Sequence, residues 1–486
     1  MLPPASTDVA RLFEGAARRY PLRPCLSWHG GGSVAYGELA AALEEQCGLL
    51  AAAGFAGRRI GLMTRNRPEL VLLWLACTRL GATPVFLNPQ YTEPEARRVV
   101  EDLELALLVA DSDPGAVGTE VLALDRPPAA AAVAVGPAGA DSSRFADAAT
   151  VVLTSGSTGR PKYVPVPNRA YELKATLNAI ALGWGPSDTG YCVMPLFHVG
   201  AQSETLVPAL VSGARVHLCE GFSASGLWDD LEDTGATHLH ATGSLLAMAL
   251  ARAEPRGGGA LRRIVGSLRV DLAAELGAAL PAVDLLSVYG LTECPLGTLS
   301  ALGEEYRPGW VGYPYLGGSL RIEEGEIQLR NPACTPGYIG LAPGEGYTED
   351  GWLRTGDLGV EREGGLYLTG RIKEMIRRSG ENIAPAEIEE AALRHPGVAE
   401  AAALPFPDRI RDEEVWLLVE PREAAAIDPD ELRAFMAGYL ARFKLPRYLD
   451  VVPELPMTAS NKVDKPRLRQ LREQPAWDAE TTGPES

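Results

Sequence analysis

Two hydrophobic periods take turns along the first part of the chain. Thr7 to Arg19 has helical spacing, with Thr7 or Asp8 placed to cap its start. Ser33-Val34-Ala35-Tyr36 reads as a short strand before a helix from Gly37 to Gly54. Arg59 to Met63 reads as a buried strand before a helix from Pro68 to Leu80 that stops at Gly81. Thr83 to Leu87 is the next strand, Glu93 to Leu103 the next helix, and Ala106 to Ala110 another strand. Such alternation predicts parallel sheets with helices on their faces. Pro127 to Ala140, rich in Ala, Pro and Gly, reads as a surface loop. The alternation resumes from Val151 to about Leu299 and gives way to short strands and turns after Ile322. A strand ends at Gly370-Arg371-Ile372-Lys373, and a compact unit follows. Its helices cover Ala386 to Leu393 and Asp430 to Ala441, beside strands near Ala399 to Leu404 and Glu414 to Val419. The expected class is α/β. Residues 1–372 would form a large domain of parallel-rich sheets flanked by helices, with a β-barrel-like subdomain. Residues 373–475 would form a small α+β domain, and 476–486 a disordered tail.

One junction carries chemistry. The apolar run Thr150-Val151-Val152-Leu153 breaks into Thr154-Ser155-Gly156-Ser157-Thr158-Gly159-Arg160-Pro161-Lys162. Glycines let backbone N–H groups approach an anion closely, the hydroxyls add donors, and Arg160 and Lys162 add charge, so the segment suits phosphate. It is not a Walker A loop, because Lys162 follows Pro161 and precedes Tyr163, where that loop has Gly before its Lys and Ser or Thr after it.

Composition narrows the partners. The 486 residues suffice for two or three domains, and 46% hydrophobic with 22% charged residues is ordinary for a globular protein. A net charge of −18 argues against nucleic acid and anionic membranes, so an anionic substrate must be met by local donors. The longest strongly apolar stretch, Leu70 to Cys77, is far short of a bilayer span. Met1-Leu2-Pro3-Pro4 opens no secretory pattern, and Cys25, Cys47, Cys77, Cys192, Cys219, Cys294 and Cys334 are scattered without metal or disulfide spacing. A reduced, cytoplasmic protein is expected.

The loop from Thr154 to Lys162 resembles the phosphate loop of the adenylate-forming superfamily, which includes acyl-CoA synthetases, nonribosomal-peptide adenylation domains and firefly luciferase. Further motifs recur in the family's order over about residues 7 to 470, and the chain looks most like an acyl-CoA synthetase. In Ser287-Val288-Tyr289-Gly290-Leu291-Thr292-Glu293 the resemblance implies that Tyr289 stacks on adenine, Thr292 binds the α-phosphate and Glu293 ligates Mg²⁺. Within Trp352-Leu353-Arg354-Thr355-Gly356-Asp357, Asp357 would accept from both ribose hydroxyls, with Arg371 the ribose- or phosphate-side cation. Lys373 falls at the family's hinge, which implies a small mobile C-terminal domain, and Gly380 in the loop after it would border a pantetheine tunnel. Arg377 and Arg378 could meet coenzyme phosphate or form a solvated pair. Lys462 falls where the family keeps its catalytic lysine, which bridges substrate carboxylate and α-phosphate, although Asn461 replaces the usual preceding Gly.

Met194-Pro195-Leu196-Phe197-His198-Val199-Gly200 resembles the substrate-side motif, with His198 and Val199 at the acid pocket. Amino-acid-activating relatives carry Asp after the Phe, so His198 argues against an α-amino acid. Gly266-Ser267-Leu268-Arg269 replaces the frequent Gly-Gly-Ala-Pro, and Thr242-Gly243 a frequent Val-Pro, which places Gly266 and Ser267 in an altered pocket. His238 and His240, two apart, share one strand face and suit packing or pocket lining better than metal. Cys294 is expected as a small pocket residue. The implied reaction takes ATP, Mg²⁺ and a carboxylic acid to an acyl-adenylate and pyrophosphate, then transfers the acyl group to the thiol of coenzyme A. A carrier-protein thiol or a small nitrogen nucleophile is the alternative acceptor. A catalytically silent nucleotide-binding homologue is the alternative of another class, against which the joint retention of Lys162, Glu293, Asp357 and Lys462 argues.

Overall fold

The structure is a computed structural model. It describes residues 8–124, 145, 147–154, 161–255, 259–268, 270–307, 309–316, 318–372, 375–378, 381–408, 411–422, 426–440, 442–458, 462–471 and 474–479. Two large sheets dominate the first half. One runs in the order Asp284–Leu286, Arg263–Val265, His238–His240, Thr189–Cys192, Arg215–Leu218, Pro24–Trp28, Gly32–Ala35, all neighbours parallel except the final hairpin. The other runs Val121–Ala123, Leu107–Ala110, Arg59–Met63, Thr83–Phe86, Ala148–Thr154, Lys162–Pro167, again parallel up to the last, antiparallel strand.

Helices Val9–Arg19, Pro68–Arg79 and Asn168–Ala181 contribute to a single core shared by both sheets. Their starts follow local chemistry: the Asp8 carboxylate accepts from the Arg11 N–H at 2.7 Å, and Pro68 opens its helix where no donor is needed. Trp74 fixes the junction of the layers. Its ring meets Phe86 and Tyr171 edge-on, and its indole N–H donates to the Ala149 carbonyl at 2.8 Å.

The strand–helix succession expected up to Ala110 is present, with Pro24–Trp28 as an additional strand. Its Cys-Leu-Ser-Trp sequence is too short to show a period. Antiparallel sheets of three and four strands follow, from Val288 to Arg371. From Ile376 onward a separate sheet forms, with helices Pro385–Leu393 and Pro429–Met436 on one face. Its long strand Asp412–Pro421 shows the two-residue period: Val415, Leu417 and Val419 enter one cluster, Trp416 and Leu418 the other.

Two expectations need correction. The helix expected over Asp430 to Ala441 stops at Met436, and Gly438 lies in the turns that follow. Residues 476–486 are not wholly a disordered tail, because Trp477–Asp478 adds an antiparallel strand beside Tyr448–Val451. Asp478 pairs with Arg447 at 3.2 Å there, a contact between residues too distant in sequence to be read from composition. The Pro127 to Ala140 segment lies outside the described residues.

Candidate active site

The hairpin that closes the second sheet pairs Thr154 with Lys162, so both ends of the phosphate-loop segment are held side by side. Ser155, Gly156, Ser157, Thr158, Gly159 and Arg160 lie outside the described residues. Lys162 Nζ stands 4.1 Å over the Tyr338 ring, and the Tyr338 hydroxyl donates to Glu293 Oε1 at 2.9 Å. One tyrosine thus spaces a cation from a carboxylate. It is delivered by a bridge between Tyr163 and Ile339 and by Thr335, whose N–H donates to the Glu293 carbonyl at 2.7 Å. Sequence reasoning missed Tyr338; its one local trace is an aromatic residue after the turn formers Pro336 and Gly337.

Thr292 and Glu293 form the two-residue turn between Val288–Leu291 and Cys294–Leu299, where Leu291 pairs with Cys294. The strands approach so closely that a Cβ at Gly297 would lie 2.4 Å from the Tyr289 carbonyl oxygen. This hairpin presents Thr292 and Glu293 partly exposed and turns the next side chain inward. Cys294 is therefore not a pocket residue. It is fully buried, with Sγ 3.2 Å from Cys334 Sγ and within 3.5 Å of Asn331 Oδ1.

A second cluster centres on Asp357. The Tyr289 hydroxyl donates to its Oδ2 at 2.9 Å, and Arg371 Nε donates to Oδ1 at 2.5 Å. Asp357 and Arg371 are partners across adjacent strands, so the sheet register sets this pair. Burial and the neighbouring carboxylate push the Tyr289 phenol upward, which keeps it a donor.

The third element is the Met194 to Gly200 segment leaving the Thr189–Cys192 strand. Asn66 pins it, donating to the Met194 carbonyl at 3.0 Å and accepting from the Leu196 N–H at 2.8 Å. The His198 ring leans on Phe197 with centroids 4.5 Å apart, and its Nε2 is enclosed with no hydrogen-bond partner among the described residues. Burial first, and then the charge of Lys462, pull the imidazole down to about 4, so it is neutral at pH 7. The charge of Lys462, from the C-terminal region, is therefore felt at His198. It sits on a tight turn in which the Thr458 N–H donates to the Lys462 carbonyl at 2.7 Å. Asn461, Lys373 and Gly380 lie outside the described residues.

The pocket floor is closely built. A Cβ at Gly200 would lie 3.0 Å from His240 Cε1, and one at Gly266 only 2.2 Å from the Ala241 carbonyl oxygen. Gly266 is thereby fixed as glycine, while Ser267 is exposed beside it and Arg269 lies outside the described residues. Val199 is partly buried on the same segment as His198. His238 serves packing: it stacks on Trp184 at 3.9 Å and bonds the Leu182 carbonyl at 3.1 Å through Nε2. Below the segment, a π-helical turn at Ala201–Leu206 buries Glu204 against Lys174 at 2.8 Å. Lys174 also donates to the Tyr315 hydroxyl at 2.8 Å, Tyr315 to Asn178 Oδ1 at 2.7 Å, and Asn178 to Glu204 Oε2 at 2.9 Å, which closes a ring. Arg378 is neither a coenzyme contact nor solvated: it pairs at 2.7 Å with the fully buried Glu414 and donates to the Phe443 carbonyl at 2.6 Å.

The arrangement brings together a lysine at the end of a hairpin, a carboxylate at a hairpin tip, an acid-and-arginine pair, and a neutral imidazole within range of the Lys462 charge. As a donor set, the partly exposed Glu293 carboxylate and the neighbouring Thr292 hydroxyl fit a hard divalent ion such as Mg²⁺. The AMP-binding enzyme family model matches residues 13–339, and the AMP-binding enzyme C-terminal domain model matches residues 387–462. The chain belongs to the AMP-binding enzyme family. Oxalate–CoA ligase of Arabidopsis thaliana is 32% identical over 505 residues, covering 95% of this chain and 98% of that enzyme. Sulfoacetate–CoA ligase of Cupriavidus necator is 32% identical over 502 residues, covering 96% and 98%. Among solved structures, o-succinylbenzoate CoA synthetase from Bacillus subtilis superposes with a TM-score of 0.82 at 25% identity in complex with the acyl-adenylate intermediate, covering 96% of this chain and 99% of that one. The same enzyme with ATP and magnesium ion gives 0.83, covering 96% and 100%. No helix among the described residues is long and apolar enough to cross a membrane.

Proposed function

We propose that this chain is an ATP-dependent acid–thiol ligase that makes an acyl-adenylate and passes the acyl group to coenzyme A. The observation that carries the reading is the match of both AMP-binding family models, over residues 13–339 and 387–462, to a chain that keeps Lys162, Glu293, Asp357 and Lys462. A carboxylate is a poor electrophile until one of its oxygens is carried off as a phosphate ester. In the first step a carboxylate oxygen attacks the α-phosphorus and the bond to pyrophosphate breaks. Lys162, at the end of the phosphate hairpin, and Thr292 hold phosphate oxygens; Lys462 offsets charge between the acid and the α-phosphate. Neutral His198 can orient the acid without pairing with its charge. Asp357, with Arg371, positions the ribose. Glu293 would hold Mg²⁺, which neutralises the departing phosphates. In the second step the thiolate sulfur attacks the acyl carbon and the C–O bond to AMP breaks, so AMP leaves with both electrons of that bond.

For transfer, Lys462 must withdraw so that a thiol can enter. We assign the pivot to Lys373 and the tunnel border to Gly380, on the motif order alone. The domains then divide near residue 373, with 1–372 binding ATP and acid. A carrier-protein thiol in place of free coenzyme A is the other acceptor. The relatives named above carry the names of polar acids, oxalate, sulfoacetate and o-succinylbenzoate, so a small polar acid is the substrate class proposed here. ATP–pyrophosphate exchange over a panel of small polar acids, long fatty acids and α-amino acids, with and without coenzyme A, tests the reading. Exchange with a polar acid and thioester only on adding coenzyme A is expected. Exchange without thioester would transfer the reading to another acceptor, and no exchange with any acid would remove it.

A further inference from the structure

Away from this site, the first sheet gathers ligand atoms that the adenylation chemistry does not use. His29 follows the Pro24–Trp28 strand, and Cys219 follows Arg215–Leu218; Trp28 and Leu218 are register partners, so the two residues leave adjacent strand ends together. His217 and Cys219, two apart, project from the same face. The ligand atoms of His29, His217 and Cys219 all lie within 4.8 Å of one another. The Ser27 hydroxyl engages His217 Nδ1 at 3.1 Å, while His217 Nε2 is buried with no hydrogen-bond partner among the described residues. One ring nitrogen is thus fixed by a neighbour and the other is left over, the usual preparation of a metal-binding imidazole. Tyr191 lies flat beside His217, with planes 2° apart, and its hydroxyl donates to Asp230 Oδ2 at 2.8 Å. That same oxygen is 3.7 Å from His29 Nε2.

We propose that His29, His217 and Cys219, with Asp230 as the adjacent carboxylate, bind one divalent ion of the zinc class. A thiolate with two imidazoles selects Zn²⁺ or Co²⁺ over Mg²⁺. Tetrahedral coordination needs ligand atoms about 3.5 Å apart, given metal–ligand bonds of roughly 2.0–2.3 Å. The closure falls to His29, which is exposed and precedes Gly30 and Gly31, both at positive φ. Binding the ion releases the Cys219 thiol proton, so uptake should rise with pH. The ion ties the end of the edge hairpin to the centre of the sheet.

The test uses the full chain, dialysed against chelator and titrated with Co²⁺ alone. One equivalent is expected to raise near-ultraviolet thiolate-to-Co²⁺ absorption and the visible bands of a tetrahedral ion, which Zn²⁺ erases and excess Mg²⁺ does not. Cys219→Ser is expected to abolish the thiolate band. His29→Asn, at an exposed position that leaves the core untouched, should weaken Co²⁺ binding at least tenfold with an unchanged circular dichroism spectrum. Cys334→Ser should change neither. Absence of the thiolate band from the parent protein, its survival in Cys219→Ser, or full affinity in His29→Asn would each overturn the site.

Discussion

Two polar clusters lie close in the fold and differ in how completely they are satisfied. In the ring of Lys174, Glu204, Tyr315 and Asn178 every member is buried and bonds another member. In the candidate site, Lys162 leans on an aromatic face, Arg371 is 58% exposed, and His198 Nε2 is enclosed without a partner among the described residues. The closed ring leaves no capacity for a ligand and instead fixes how the Asn168–Ala181 helix meets Tyr315. The open cluster leaves Arg371 largely exposed and His198 Nε2 without a partner among the described residues, which suits a site that must meet an anion against a net charge of −18. Stability should therefore be concentrated in the first cluster and activity in the second.

The largest effect should come from breaking the closed ring. Lys174→Met leaves Glu204 buried and uncompensated, at a cost of about 3–5 kcal/mol, whereas replacing both charges with apolar residues should recover most of it. Denaturant unfolding of the single and double variants measures this, and equal losses in both would show that packing, not charge, is at work. Next in size, Lys462→Ala should cost adenylation about 2.7–4 kcal/mol with little change in unfolding. Transfer from a supplied acyl-adenylate should be largely retained, and a matching loss in both half-reactions would indicate a structural role.

Acidification should act on two histidines outside the closed ring. His198 and His238 are each lowered to about 4, chiefly by burial. The unfolded chain therefore takes up protons at these positions below about pH 6.5 while the folded one does not, so stability present above that pH is lost progressively towards pH 4. Thermal unfolding between pH 7 and 4 should show this fall, steeper in the parent than in His238→Gln. A pH-independent midpoint would refute it. Smallest of all, Tyr338→Phe removes one hydrogen bond to Glu293, worth about 0.5–1.5 kcal/mol. Its expected readout is a weaker Mg²⁺ dependence of pyrophosphate release, distinct from the near-complete loss expected of Glu293→Gln.

Much of this was legible in the sequence wherever the determinants are local. The strand–helix succession follows from period and capping residues, and the phosphate hairpin and the Tyr289 to Glu293 turn follow from runs of adjacent residues. What escaped depends on pairing across the chain. Tyr338 enters the site because its neighbour Ile339 bridges to Tyr163, and Arg378 is absorbed by Glu414 across a strand pair. Cys294 follows the turn at Glu293, and only the strand's alternation decides that it faces Cys334 rather than the pocket. Cysteines with no spacing pattern can likewise acquire histidine neighbours once the strands are laid side by side, as Cys219 does.

The strand Trp477–Asp478 has a consequence for how copies of the molecule behave towards one another. It covers the outer side of Tyr448–Val451, whose backbone groups would otherwise stand open at the rim of the C-terminal sheet. A chain cut before Ala476 would keep every residue of the candidate site and still expose an unpaired strand able to recruit another such strand. Its failure would be aggregation on concentration, with activity per folded molecule intact.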